Sequence, residues 1–204
     1  NETELNEPLL IDRGEVTQSV FADPDTHILE INSKTGLYPL YMAYTTYRFA
    51  RQRFIDKHML ARDLTREEEQ EIWDEVISRN IFVICKTKMA RSITRRTLIG
   101  FRQSKVNLHA FDDLLNQVRN NKESFVKNIT RPKFWNIKNS NNMLKFNAVV
   151  GNPPYQAETG GGSDLSVAAT QAKPIFQLVV QQAKKLDPEY ISMIIPARWY
   201  AGGK

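Results

Sequence analysis

The chain has 204 residues, enough for one domain of ordinary size around a single core. With 41% hydrophobic and 25% charged residues it is neither a disordered polymer nor a membrane span, since no apolar run approaches roughly 20 residues. The net charge of +5 is too mild to specify a partner, and the one cysteine, Cys85, excludes an internal disulfide framework and suits a reducing cytoplasm. The polar, acidic start lacks a signal-peptide pattern. A first residue other than Met, and a Gly202-Gly203-Lys204 end directly after an apolar segment, predict that residues 1–204 are a single domain cut from a larger protein.

In chain order, residues 27–31 (His-Ile-Leu-Glu-Ile) read as a buried strand leaving through a polar turn, Asn32 to Gly36. A helix is expected over 37–58, with Pro39 tolerated in its first turn and Leu40, Ala43, Tyr44, Tyr47 and Phe54 on its inner face. Thr65 and Glu68 form a capping-box pattern opening a helix to Arg79, whose buried stripe is Ile72, Val76 and Ile77. Residues 81–85 (Ile-Phe-Val-Ile-Cys) give the clearest strand. Thr87 then caps a helix over 88–98, residues 106–110 form a third strand, and a helical stretch covers 111–120. Residues 121–145 carry no regular pattern. A fourth strand at 146–150 runs into Gly151-Asn152-Pro153-Pro154-Tyr155. A glycine-rich loop at 158–164, a helix over 174–186 and a fifth strand at 190–195 complete the pass.

Strands apolar along their length, alternating with amphipathic helices, predict an α/β domain with a mostly parallel sheet covered on both faces. Ligands in such folds bind at the carboxyl ends of strands, where strand order reverses. The polar loops after each strand should gather there. Two basic stretches suit a phosphate backbone or, equally, a solvated surface. Residues 86–105 hold seven Lys and Arg and no acid, and residues 122–145 hold six against Glu123 alone. His27, His58 and His109 lack metal-ligand spacing, so no metal is expected.

The chemistry concentrates at Asn152-Pro153-Pro154-Tyr155. Two prolines remove two backbone donors and stiffen the turn, leaving carbonyls available as acceptors. Asn152 adds a side-chain acceptor and Tyr155 a flat ring. Together they suit a planar guest that bears an NH₂ group, although a rigid turn with Tyr155 as ordinary packing would leave the same letters.

Residues 146–155 (Phe-Asn-Ala-Val-Val-Gly-Asn-Pro-Pro-Tyr) closely resemble the catalytic motif of the NPPY-type adenine-N6 DNA methyltransferases, which include the methyltransferase domains of bacterial restriction–modification enzymes. The resemblance implies a doubly wound, Rossmann-like fold truncated at its C-terminal side, and S-adenosylmethionine as methyl donor. It implies double-stranded DNA with a flipped adenine as partner, the rest of a restriction–modification polypeptide around the domain, and a bacterial cytoplasm with no membrane. Asn152 and Pro153 would hold the amino group, Pro154 would stiffen the turn, and Tyr155 would stack on the base.

Other landmarks follow in order. Residues 28–36 resemble the family's first motif, putting Glu30, Asn32 and Gly36 at the cofactor, with Lys34 where the family usually has glycine. Residues 80–85 resemble the second, with Cys85 in place of the acid that binds the ribose hydroxyls. Asp112 resembles the acid at the cofactor's adenine, or is a helix cap. Residues 194–200 resemble the segment after the fifth strand, with Arg198 a DNA-phosphate contact or a plain surface residue. Two alternatives stay open: an enzyme of this type acting on RNA or a protein glutamine, and a decayed module that only binds DNA or scaffolds.

Overall fold

The computed structural model describes residues 19–111, 114–120, 122–138, 142–154 and 175–196. Its frame is a parallel sheet of five strands: β1 (Ile28–Ser33), β2 (Ile81–Cys85), β3 (Asn107–Ala110), β4 (Ala148–Gly151) and β5 (Tyr190–Met193), in the spatial order β3-β2-β1-β4-β5. Side-chain alternation assigns the two faces. Ile28, Ile81, Val83 and Cys85 pack beneath α1 (Leu37–His58), α2 (Arg66–Arg79) and α3 (Lys88–Ile99) through Met42, Ala43, Val76, Ile77, Leu98 and Ile99. Leu29, Ile31, Phe82, Ile84 and Val149 face the opposite layer. That layer comprises α4 (Leu114–Asn120), α5 (Lys122–Ile129), a 3₁₀ turn (Pro132–Trp135) and α6 (Phe176–Lys185). The parallel α/β sheet expected from the apolar strands is therefore present, in the doubly wound arrangement that the resemblance implied.

The caps read from sequence form. Thr65 and Glu68 exchange both capping-box bonds, and Thr87 Oγ1 accepts from the Ala90 amide at 3.0 Å. Ile72, Val76 and Ile77 are buried as expected.

Several bounds differ. In α1 the buried side is Pro39, Met42, Ala43 and Thr46, so Tyr44, expected inside, is 54% exposed; one residue past Ala43 turns the helix by about 100°. β1 continues through Asn32 and Ser33, which were expected in the turn. β4 begins at Ala148 because the His27 carbonyl takes both the Asn147 and Ala148 amides; Phe146 is buried ahead of the strand. The patternless 121–145 region holds α5 and the 3₁₀ turn, anchored by Phe125, Ile129 and Trp135, whose indole N–H donates to the Ile129 carbonyl at 2.7 Å. The 158–164 loop lies outside the described residues. Among the described residues no helix is long and apolar enough to cross a membrane.

Candidate active site at the carboxyl ends of β1 and β4

β2 and β3 extend the sheet on one side of β1, and β4 and β5 on the other. The strand order reverses between β1 and β4, which is where open α/β sheets take ligands. Ile31 pairs with Gly151 at this edge. A Cβ on Gly151 would stand 2.5 Å from the Ile31 carbonyl oxygen, so only glycine lets the two strand ends come this close.

β1 does not end smoothly. Its register against β2 slips between Ile31 and Ser33, and the residue between, Asn32, has a left-handed backbone with φ 75°. The slip turns Ser33 toward α3, where its hydroxyl lies 3.2 Å from Thr94 Oγ1. Asn32 is 3% exposed and its Nδ2 donates to the Asn152 carbonyl at 2.6 Å. Its Oδ1 is buried without a hydrogen-bond partner among the described residues, and so is Glu30 Oε2. Burial pushes the Glu30 carboxyl up to about 7, against the opposing effect of its bond with Ser33.

The left-handed backbone of this loop falls on Asn32 and Gly36 (φ 81°), and Lys34, standing where the family usually has glycine, is not asked for it. Gly36 also sits tight on α3: an added Cβ would lie 3.0 Å from Thr94 Cα and 3.1 Å from Thr97 Cβ. The first turn of α1 follows, with no side-chain cap and no acidic residue.

These groups fit one end of S-adenosylmethionine. Its amino-acid end carries an ammonium, which needs acceptors, and a carboxylate, which suits an uncapped helix start. Glu30 Oε2 and Asn32 Oδ1 are the two buried acceptors left over there. The ribose end fits less well. Cys85, expected to stand at the ribose hydroxyls, is wholly buried and its thiol points 3.8 Å from Thr94 Oγ1. Burial, with the nearby Glu30 carboxyl, pushes that thiol up to about 11, while Thr94 and Arg91 pull it down. As folded, Cys85 is an inert core thiol and offers no acceptor to a diol.

On the other side of the crevice, the Ile194 amide donates to the Gly151 carbonyl at 3.0 Å, and the strand then gives way to proline. Pro153 is buried and Asn152 and Pro154 are half-buried. The Asn152 carbonyl accepts from Asn32; Asn152 also carries a side-chain carbonyl, and Pro153 and Pro154 bring backbone carbonyls without an N–H. The structure thus brings Glu30, Asn32, Gly36, Asn152, Pro153 and Pro154 to one edge. Tyr155, Asp112 and Arg198 lie outside the described residues. The bond between Asn32 and Asn152 was not legible in the sequence, because 120 residues separate its partners and a single letter gives no sign of a left-handed backbone.

The basic stretch at 86–105 is partly spent within the fold. Arg102 pairs with Asp74 at 2.6 Å, Arg95 donates to the Arg102 carbonyl, and Arg96 lies over the Phe101 ring at 3.9 Å. Arg91 is exposed on α3.

Residues 79–204, more than half of the chain, match the Eco57I restriction-modification methylase family. A 57-residue stretch is 49% identical to an uncharacterized adenine-specific methylase of Mycoplasma pneumoniae (strain ATCC 29342 / M129 / Subtype 1), covering 28% of this chain. The match spans 13% of that protein's length.

Proposed function

The chain belongs to the Eco57I restriction-modification methylase family, and from that premise we propose that it is the S-adenosylmethionine-binding and catalytic part of an enzyme that methylates the exocyclic amino group of adenine at specific sites in DNA. The observation that carries this reading is the Asn152-Pro153 turn at the point of strand reversal. It is stiffened by two prolines and tied by the Asn32 side chain to the strand end that carries the buried acceptors of β1. The name of the Mycoplasma relative, an adenine-specific methylase, supports the same choice of acceptor.

The mechanism follows from the acceptors. A flipped adenine presents an NH₂ group whose lone pair is conjugated with the ring and weakly nucleophilic. Asn152 Oδ1 and the Pro153 carbonyl each accept one amino hydrogen, which favours a lone pair directed out of the ring plane. S-Adenosylmethionine would supply a methyl group on a sulfonium sulfur; as the N–C bond forms the S–C bond would break, leaving a neutral thioether, and one amino hydrogen would be lost as a proton to water. Preorganised acceptors stabilise the positive charge that develops on the nitrogen. Glu30 and Asn32 would hold the ammonium end of the donor and the start of α1 its carboxylate. Pro154 limits the turn's freedom, and Tyr155 supplies the stacking face. Duplex DNA is the acceptor and the remainder of a longer polypeptide reads its sequence.

One observation favours a second reading. Cys85 offers no ribose acceptor, which suits a module that binds DNA or scaffolds without transferring methyl groups. The experiment is to incubate the full-length protein with methyl-labelled S-adenosylmethionine and duplex DNA, RNA or a glutamine-bearing peptide. Label in N6-methyladenine of DNA is the expected result. Label in RNA or the peptide instead would redirect the substrate, and a folded protein with no cofactor binding by calorimetry would favour the non-catalytic reading.

A further inference from the structure

We infer that Asn32, besides standing at the cofactor's side of the crevice, is a positioning residue that fixes the orientation of the catalytic turn. The inference rests on the function proposed above.

The β1–β4 ladder reaches its last rung at Ile31 and Gly151. Beyond it the ladder stops, because β1 breaks register and turns left-handed at Asn32 while, on the β4 side, Pro153 and Pro154 have no N–H to give. The Asn152 carbonyl would then be left at a partly buried edge with nothing to hold it. Asn32 supplies the missing rung from its side chain, Nδ2 donating to that carbonyl at 2.6 Å.

Three features make the rung possible, and none is needed for an ordinary strand exit. The left-handed backbone of Asn32 puts its side chain on the path toward β4, and asparagine is among the few residues besides glycine that tolerate this conformation. The register slip against β2 absorbs the extra residue. Gly151 removes the Cβ that would hold the two strands apart.

The consequence is geometric. The Asn152 carbonyl and the Pro153 nitrogen belong to one planar peptide unit. Fixing the direction of that carbonyl fixes the plane, and with it the point from which both Asn152 Oδ1 and the Pro153 carbonyl are aimed. The two acceptors are held by a residue that touches neither the base nor the methyl group. The first-motif loop and the Asn-Pro-Pro turn are thereby joined by one direct hydrogen bond.

Two substitutions separate this role from a packing role. Asn32→Gly keeps the left-handed backbone and deletes the rung. Asn32→Asp keeps the size and turns the donor into an acceptor facing a carbonyl oxygen. Single-turnover methyl transfer by the full-length protein, at saturating S-adenosylmethionine and DNA, should fall about 10²-fold in both. Asn32→Gly also removes the acceptor placed at the cofactor's ammonium, so its calorimetric affinity for the cofactor should fall, whereas Asn32→Asp keeps an acceptor there and should bind at least as tightly; saturating cofactor keeps the rate comparison free of either change. An undiminished rate in Asn32→Asp would overturn the inference, as would a loss of rate explained wholly by lost cofactor affinity. A through-hydrogen-bond scalar coupling between Asn32 Nδ2 and the Asn152 carbonyl carbon tests the rung without any activity. Its presence in a protein that methylates no DNA would retain the rung and reject the function; its absence would reject the rung.

Discussion

Glu30 is the residue with the most unusual environment. Its carboxyl is ordinary in the unfolded chain, near 4.5, and raised to about 7 in the fold by burial. Below pH 4.5 it is neutral in both states and folding incurs no charge cost. Between 4.5 and 7 the unfolded chain ionises first, so stability falls as pH rises; above 7 the cost is complete. At about 1.4 kcal/mol per unit the total is on the order of 3 kcal/mol. Asn→Asp-type changes elsewhere would not mimic this, because the slope belongs to one buried group. Urea melts of Glu30→Gln against the unaltered chain should show the variant's relative stability growing between pH 5 and pH 8; a difference flat with pH would contradict the burial. The same group makes a prediction for ligand. Because an ammonium neighbour favours the ionised form, affinity for S-adenosylmethionine should weaken as pH falls below about 7, and Glu30→Gln should lose that dependence in calorimetry. Cys85, buried and raised, should resist iodoacetamide at pH 8 in the folded protein and react once it is unfolded; fast labelling of the native chain would refute its placement.

At the scale of elements, the closeness of β1 and β4 rests on Gly151. Gly151→Ala would drive a methyl group into the Ile31 carbonyl, and separation of the strand ends should cost about 1–3 kcal/mol and depress methyl transfer with it. Unchanged urea midpoints would show that the edge has slack. The elements themselves were legible where chemistry is local. Thr65 with Glu68, and Thr87, announced their helices, and apolar runs such as Ile81–Cys85 announced strands buried on both faces. What stayed hidden depends on partners distant in sequence. α5 and the 3₁₀ turn lie in an Asn- and Lys-rich region and are held by Phe125, Ile129 and Trp135 against the sheet, a tertiary reward that no window of sequence displays. Tyr44 was placed inside because it shares a helical spacing with Leu40, Ala43 and Tyr47, yet the packed side is set by where α2 and α3 lie. At the site, the Asn-Pro-Pro turn was legible because prolines act on their own backbone. The Asn32 rung was not, since it appears only when two strand ends meet.

For the molecule as a whole, sheet order turns these local pieces into a site. Because β4 lies beside β1 and not beside β3, the Asn-Pro-Pro turn lies next to the strand end that carries Glu30 and Asn32. A sheet with β4 beside β3 would have separated them by three strand spacings, each roughly 4.8 Å. The chain's net charge of +5 is mild and part of its arginine is committed to internal pairs, so charge alone does not carry the proposed contact with DNA. The most direct test compares N6-methyladenine formed in duplex DNA by the full-length protein and by its Asn152→Ala variant, at equal concentrations of folded protein. Loss of nearly all product in the variant is the predicted result; equal yields from the two proteins would contradict the account.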